Sequence, residues 1–145
     1  MTETRLMTAD EKVPDVNADA ADPTVQALAY LGDAVLEVIV RERLVRRGLC
    51  NSARLNEAAL AYVKATAQSE AVERIIPLLT ERENNVYRRG RNAGHGKNVP
   101  KSATMAEYRR ATGLETLFGQ LRLDGESERM NALFDAAYPD LALNT

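Results

Sequence analysis

The run ALAYLGDAVLEVIVRERLV, residues 27 to 45, constrains the fold more than any other stretch, because it is strongly apolar yet carries Asp33 near its middle. Asp22 is a favoured N-cap residue and Pro23 suits the first helical position, so a helix is expected to start there. With Leu28 at zero and roughly 100° per residue, Val25, Leu31, Val35, Val38 and Ile39 share an arc expected to face the core. Leu36, Val40 and Leu44 carry the apolar surface further round, leaving Tyr30, Glu37 and Arg41 as a polar strip. Asp33 falls between Val40 and Leu44, on the shoulder of the apolar face. Loss of water there disfavours a charged carboxylate unless a cation or hydrogen bonds compensate.

A helix this apolar needs a core around it. The chain has 145 residues, 45% of them hydrophobic, which suits one globular domain, expected over residues 22–145. Residues 1–21, MTETRLMTADEKVPDVNADAA, are polar and acidic with no apolar h-region. They are expected to form a disordered tail, neither signal peptide nor membrane span. Cys50 is the single cysteine and His95 the single histidine, which excludes an intrachain disulfide, a thiolate zinc site and His-rich metal sites, and argues against a serine or cysteine triad. A cytoplasmic protein without membrane association is expected.

The rest of the chain reads as helices separated by turn signals. Gly48 ends the first, and Asn51 or Ser52 caps a second expected to run, rich in alanine, toward Ile76 before Pro77. Thr80 and Glu83 form a capping box for a third, with Gly90 as its expected stop. RNAGHGKNVPKSA, residues 91–103, holds Gly94, Gly96 and Pro100 and is expected to be a loop. Thr104 and Glu107 make a second capping box for a helix ending at Asp124-Gly125, and SERMNALFDAAY runs as a last helix to about Pro139. No strand pattern or internal repeat appears, so the expected fold class is all-α.

Charge is distributed unevenly. The net charge is only −2, but residues 82–110 hold eight basic residues against Glu83 and Glu107, a local +6 that leaves −8 elsewhere. Such a patch suits a polyanion, and equally a solvated surface loop between helices.

The helix that starts at Thr104 repeats the oddity of the first. With Leu114 at zero, Ala111, Leu117, Phe118 and Leu121 define its apolar arc and Glu115 sits at the edge. If the two shoulders meet when the helices pack, Asp33 and Glu115 converge, and a hard divalent cation would relieve their repulsion. Mg²⁺ needs only one or two carboxylates, keeping water and phosphate oxygens as its other ligands. The alternative is structural: helix-edge hydrogen bonds, or pairing of Asp33 and Glu115 with Arg41 and Arg122.

LAYLGDAVLEVIV resembles the signature helix of the ribonuclease III family, centred on L-G-D, and TGLETLFGQLRL resembles its second metal-binding segment, E-x-L-x-G. Their order and separation match the family as well. The intervening RRGRNAGHGKNVPKSATMAEYRRATG is similar to the basic loop of the Mini-III branch. With no stretch after residue 145 to form a double-stranded-RNA-binding domain, a catalytic domain alone is expected. The resemblance spans about residues 22–138. It implies that Asp33 and Glu115 are the catalytic residues and bind Mg²⁺. Ala29 stands four residues before Asp33 where the larger enzymes have glutamate, and Thr112 three before Glu115 where they have aspartate, which leaves the number of metals per site open.

The implied reaction is hydrolysis of a phosphodiester in double-stranded RNA, giving a 5′ phosphate and a 3′ hydroxyl, with a bound cation activating water in place of a general-base histidine. Duplex RNA is read through phosphates and 2′ hydroxyls. Arg88, Arg89, Arg91, Lys97 and Lys101 are the expected phosphate contacts, Asn92 or Asn98 the ribose contacts, and His95 meets phosphate or solvent. Cutting both strands calls for two sites on a twofold axis, and the surplus apolar surface of the first helix gives a reason for a homodimer. The family analogy adds a precursor large-subunit (23S) ribosomal RNA stem as substrate. Two other readings use the same residues: a non-catalytic RNA-binding or ribosome-associated module on the same fold, and a helical protein-interaction module.

Overall fold

The computed structural model describes residues 23–93 and 103–143. Six α-helices span them: α1 (Val25–Arg46), α2 (Ser52–Val63), α3 (Ala65–Ile75), α4 (Glu81–Ala93), α5 (Met105–Leu123) and α6 (Ser127–Ala137), with short 3₁₀ turns at Ile76–Leu78 and Pro139–Leu141. There is no strand among the described residues, as the all-α expectation required. Segment 1–21, Asp22, His95, Lys97, Asn98 and Lys101 lie outside them.

Helix α5 runs through the centre of the molecule. It buries Ala111, Leu114, Leu117, Phe118 and Leu121, the arc expected from sequence, but also Gly113, Thr116 and Gly119 on its other sides. A helix covered all round must be the one the others pack on. α1, α3 and α4 all lie against it, while α2 packs on α1 and α6 closes the core beside α3. The core joins Leu36, Val40 and Leu44 of α1 to Val72 and Ile75 of α3, Leu114 and Phe118 of α5, and Leu133 and Phe134 of α6.

Local signals set most helix ends. Both capping boxes form: Glu83 N–H donates to Thr80 Oγ1 at 3.1 Å and Thr80 N–H to Glu83 Oε1 at 2.9 Å. The Thr104–Glu107 pair does the same at 3.1 and 2.8 Å. Gly48, at φ +93°, and Gly125, at φ +69°, take the left-handed backbone beyond the ends of α1 and α5 that other residues adopt at a cost. The α1 cap is Thr24, whose hydroxyl accepts from Ala27 N–H at 3.1 Å, and not Asp22.

Three expectations are corrected. The buried line of α1 is Leu28, Gly32, Leu36, Ile39, Val40, Arg43 and Leu44, whereas Val38 is 64% exposed and Val25, Leu31 and Val35 are only partly covered. Glycine adds nothing to an apolar pattern, so the face centred on Gly32 is hidden from a hydropathy reading. The single helix expected from Asn51 to Ile76 is broken at Lys64, whose ψ of 154° is extended. No glycine or proline marks the break; it divides a helix lying on α1 from one lying on α5. Gly90 does not stop α4, which continues to Ala93. A Cβ at Gly90 would overlap the Thr116 side chain, and one at Gly113 would crowd the Tyr87 ring, so these glycines let α4 and α5 cross closely.

Glu83 does more than cap α4. It accepts from Arg129 Nε and Nη2, both at 2.8 Å, tying α6 to α4. The Arg129 hydrogen bonds hold its carboxyl below the usual carboxylate range, against the opposing effect of burial. A depressed folded pKa adds stability above the unfolded value and loses it as pH falls through the folded one. Glu83→Gln is therefore expected to cost about 1 to 3 kcal/mol at pH 7, with the difference from the parent shrinking below about pH 4.5, in urea melts across that range.

Candidate active site

Asp33 and Glu115 are brought together by a backbone contact between α1 and α5. A Cβ on Gly32 would overlap the carbonyl oxygen of Glu115, and a Cβ on Gly119 the carbonyl oxygen of Leu28. With hydrogen in place of both side chains, the two helices touch main chain to main chain at the residue before Asp33 and at Glu115 itself. The adjacent carboxylates consequently lie within hydrogen-bonding range of each other.

Their environments differ. Asp33 is exposed, so it is not desolvated as its position beside the apolar face suggested; Glu115 is the half-covered member. Burial, then the negative charge of Asp33, then the hydrogen bond between the two push the Glu115 carboxyl up to about 8. A hydrogen bond from Gln68 opposes that rise. Among the described residues the pair has no counter-ion: Arg41 binds Glu37 at 2.9 Å, and Arg122 makes no ion pair there. The pairing of the two acids with Arg41 and Arg122 is therefore not what this fold contains.

No third acid, histidine or cysteine joins the pair among the described residues. Thr112 donates its hydroxyl to the Tyr108 carbonyl at 3.0 Å and is held against its own helix. Beside Glu115 a cavity of about 350 Å³ opens between the α2–α3 break and α5, lined by Lys64, Gln68, Tyr108 and Thr112 among others. Two oxygen donors in contact, with surplus negative charge and open space beside them, are a set that suits a hard divalent cation completing its shell from water and a phosphate.

The basic residues divide. Arg88 and Arg89 lie on α4 as expected, and Arg91 and Asn92, expected on the loop, belong to its last turn because Gly90 continues the helix. Arg88, Arg89 and Asn92 are exposed, and Arg91 lies over the Tyr87 ring at 5.9 Å while donating to Asn92 Oδ1 at 3.2 Å. Lys97 and Lys101 fall outside the described residues. Gln68 was missed from sequence, although a signal existed: it stands four and seven residues before Val72 and Ile75, on the buried face of α3.

This fold is that of a ribonuclease III domain, and the family model for that domain matches residues 26–126. A Mini-ribonuclease 3 of Symbiobacterium thermophilum is 52% identical over 111 residues, covering 76% of this chain and 84% of that one. One of Brevibacillus brevis is 41% identical, covering 77% and 82%. The crystal structure of a Fusobacterium nucleatum protein superposes with a TM-score of 0.71 at 32% identity, covering 79% of this chain and 90% of that one. The chain belongs to the ribonuclease III family, in its Mini-ribonuclease 3 branch, and is an endoribonuclease. No helix among the described residues is long and apolar enough to cross a membrane.

Proposed function

We propose that the chain cleaves double-stranded RNA by phosphodiester hydrolysis, with Mg²⁺ held by Asp33 and Glu115, and that its substrate is a duplex stem in precursor 23S ribosomal RNA. The observation that carries this reading is the juxtaposition of two carboxylates, one exposed and one half-buried, with no counter-ion among the described residues. When bound, the cation lowers the pKa of water and offsets charge on the reacting phosphate. Glu115 is held by the core around α5, and Asp33 presents its carboxylate toward solvent, where an RNA strand arrives. Arg88, Arg89 and Arg91 at the end of α4, with Lys97 and Lys101 beyond it, bind phosphates, and Asn92 donates to ribose. The stem itself is supported by family resemblance alone.

A homodimer fits the two-strand reaction. Tyr30, Val38 and Val45 of α1 are 85%, 64% and 57% exposed, an apolar strip that a second copy would cover. Sedimentation at micromolar concentration should give twice the chain mass; a monomer contradicts this part of the reading.

Long duplex RNA and the matching single strand, each incubated with the protein in Mg²⁺ or in EDTA, test the substrate and the cation together. Cleavage is expected of the duplex alone and in Mg²⁺ alone. Salt-sensitive retention of duplex without cleavage would overturn the proposal. Replacing Arg88 and Arg89 together by alanine should lower the slope of log affinity against log salt by up to about two, at roughly 0.7 to 0.9 per lost contact, in filter-binding titrations without divalent cation. A parental slope would remove these arginines from the interface.

A further inference from the structure

Only two polar side chains of α3 are fully buried, Gln68 and Ser69, each 3% exposed, and both reach toward α5. Ser69 Oγ accepts from Arg110 Nη1, and the rest of the buried face of α3, Ala71, Val72 and Ile75, is completely covered. That helix is therefore fixed in the core at its polar pair and along the turns that follow it. Gln68 lines the cavity that opens beside Glu115, and its amide, set on the same wall as the Glu115 carboxylate, holds that carboxyl down against the effect of burial. A buried amide without a partner costs about 1 to 3 kcal/mol, so its place beside Glu115 at the cavity wall accounts for its presence on an otherwise apolar face.

We propose that Gln68 is a positioning residue of the cleavage site: its side-chain amide fixes the Glu115 carboxylate facing Asp33, leaving the remaining oxygen lone pairs for the divalent cation. This rests on the reading of Asp33 and Glu115 as the cation pair. The residue type matters. A lysine or arginine at this point would be an internal counter-ion, would neutralise the pair and would compete with the cation. A neutral amide supplies direction without charge, and its N–H groups favour the ionised carboxylate, the stronger acceptor and the form a metal takes. Loss of a partner of this kind, which orients a ligand without touching the metal, typically costs about 10- to 100-fold in metal affinity.

The test is Mn²⁺ binding, read by the electron paramagnetic resonance signal of the free ion, on the full chain and on Gln68→Met, which keeps length and removes the donor. Gln68→Met is expected to bind Mn²⁺ roughly tenfold more weakly than the parent while melting near the parental temperature, and Asp33→Asn not to bind at the site at all. Parental Mn²⁺ affinity in a folded Gln68→Met overturns the inference and leaves the cleavage reading intact. A parent that binds no Mn²⁺ overturns both. Should Gln68→Met fail to fold, the unsubstituted protein decides. The Gln68 side-chain amide resonances are expected to shift on Mg²⁺ titration with the midpoint of cation binding, and resonances that stay in place at saturation overturn the inference.

Discussion

Gly32→Val is expected to produce the largest loss of stability of any single substitution on α1. The atom that a Cβ at this position would overlap is the Glu115 carbonyl oxygen, part of the α5 backbone and unable to rotate away. Either α1 moves outward, opening the core around Leu36 and Val40, or the turns around Gly32 and Glu115 distort. Overpacking a core costs about 1 to 3 kcal/mol when side chains can adjust. Against main chain the cost should reach at least the upper end, outweighing the gain of about 1 kcal/mol that leaving glycine brings to a helix interior. A thermal melt followed by circular dichroism should show a fall of roughly 10 °C or more. Gly32→Ala should lie between parent and Gly32→Val, and any folded fraction should cleave slowly because Asp33 and Glu115 are moved apart. An unchanged melting temperature would mean that the helices do not meet at Gly32.

Asp33→Asn is expected to abolish cleavage while leaving the fold intact. Asp33 is exposed, so exchanging one carboxylate oxygen for an amide disturbs no packing, and it removes the negative charge that raises the Glu115 carboxyl. The variant should melt at or above the parental temperature and bind duplex RNA normally in the absence of divalent cation. Its cleavage rate should fall by roughly three orders of magnitude or more, since an amide oxygen is a poor substitute for an anionic ligand. Loss of activity together with loss of the helical spectrum would instead make Asp33 a structural residue.

What the sequence disclosed and what it hid follow one division. Features set by a few neighbouring residues were legible: the Thr80–Glu83 and Thr104–Glu107 boxes, the ends at Gly48 and Gly125, and the apolar arc of α5. Features set by contact between helices were not. Gly90 looks like a stop and is a crossing point; Lys64 looks helical and is a corner; and the core face of α1 is turned toward Gly32, which has no side chain to signal it. The two acids were legible as residues out of place on apolar helices. Their meeting was not, because it depends on Gly32 and Gly119 packing backbone to backbone across two helices far apart in sequence. Gln68 was hidden in an alanine-rich stretch that reads as unremarkable helix until its register with Val72 and Ile75 is compared.

The most direct test of Asp33 and Glu115 as one site is single-turnover cleavage of a labelled duplex, with protein in excess and Mg²⁺ saturating for the parent, by Asp33→Asn, Glu115→Gln and the double variant. Groups that act as a unit show strongly non-additive losses. Each single variant is predicted to be nearly as inactive as the double. Losses that multiply would contradict a shared site, and a parental rate in either single variant would remove that residue from the reaction.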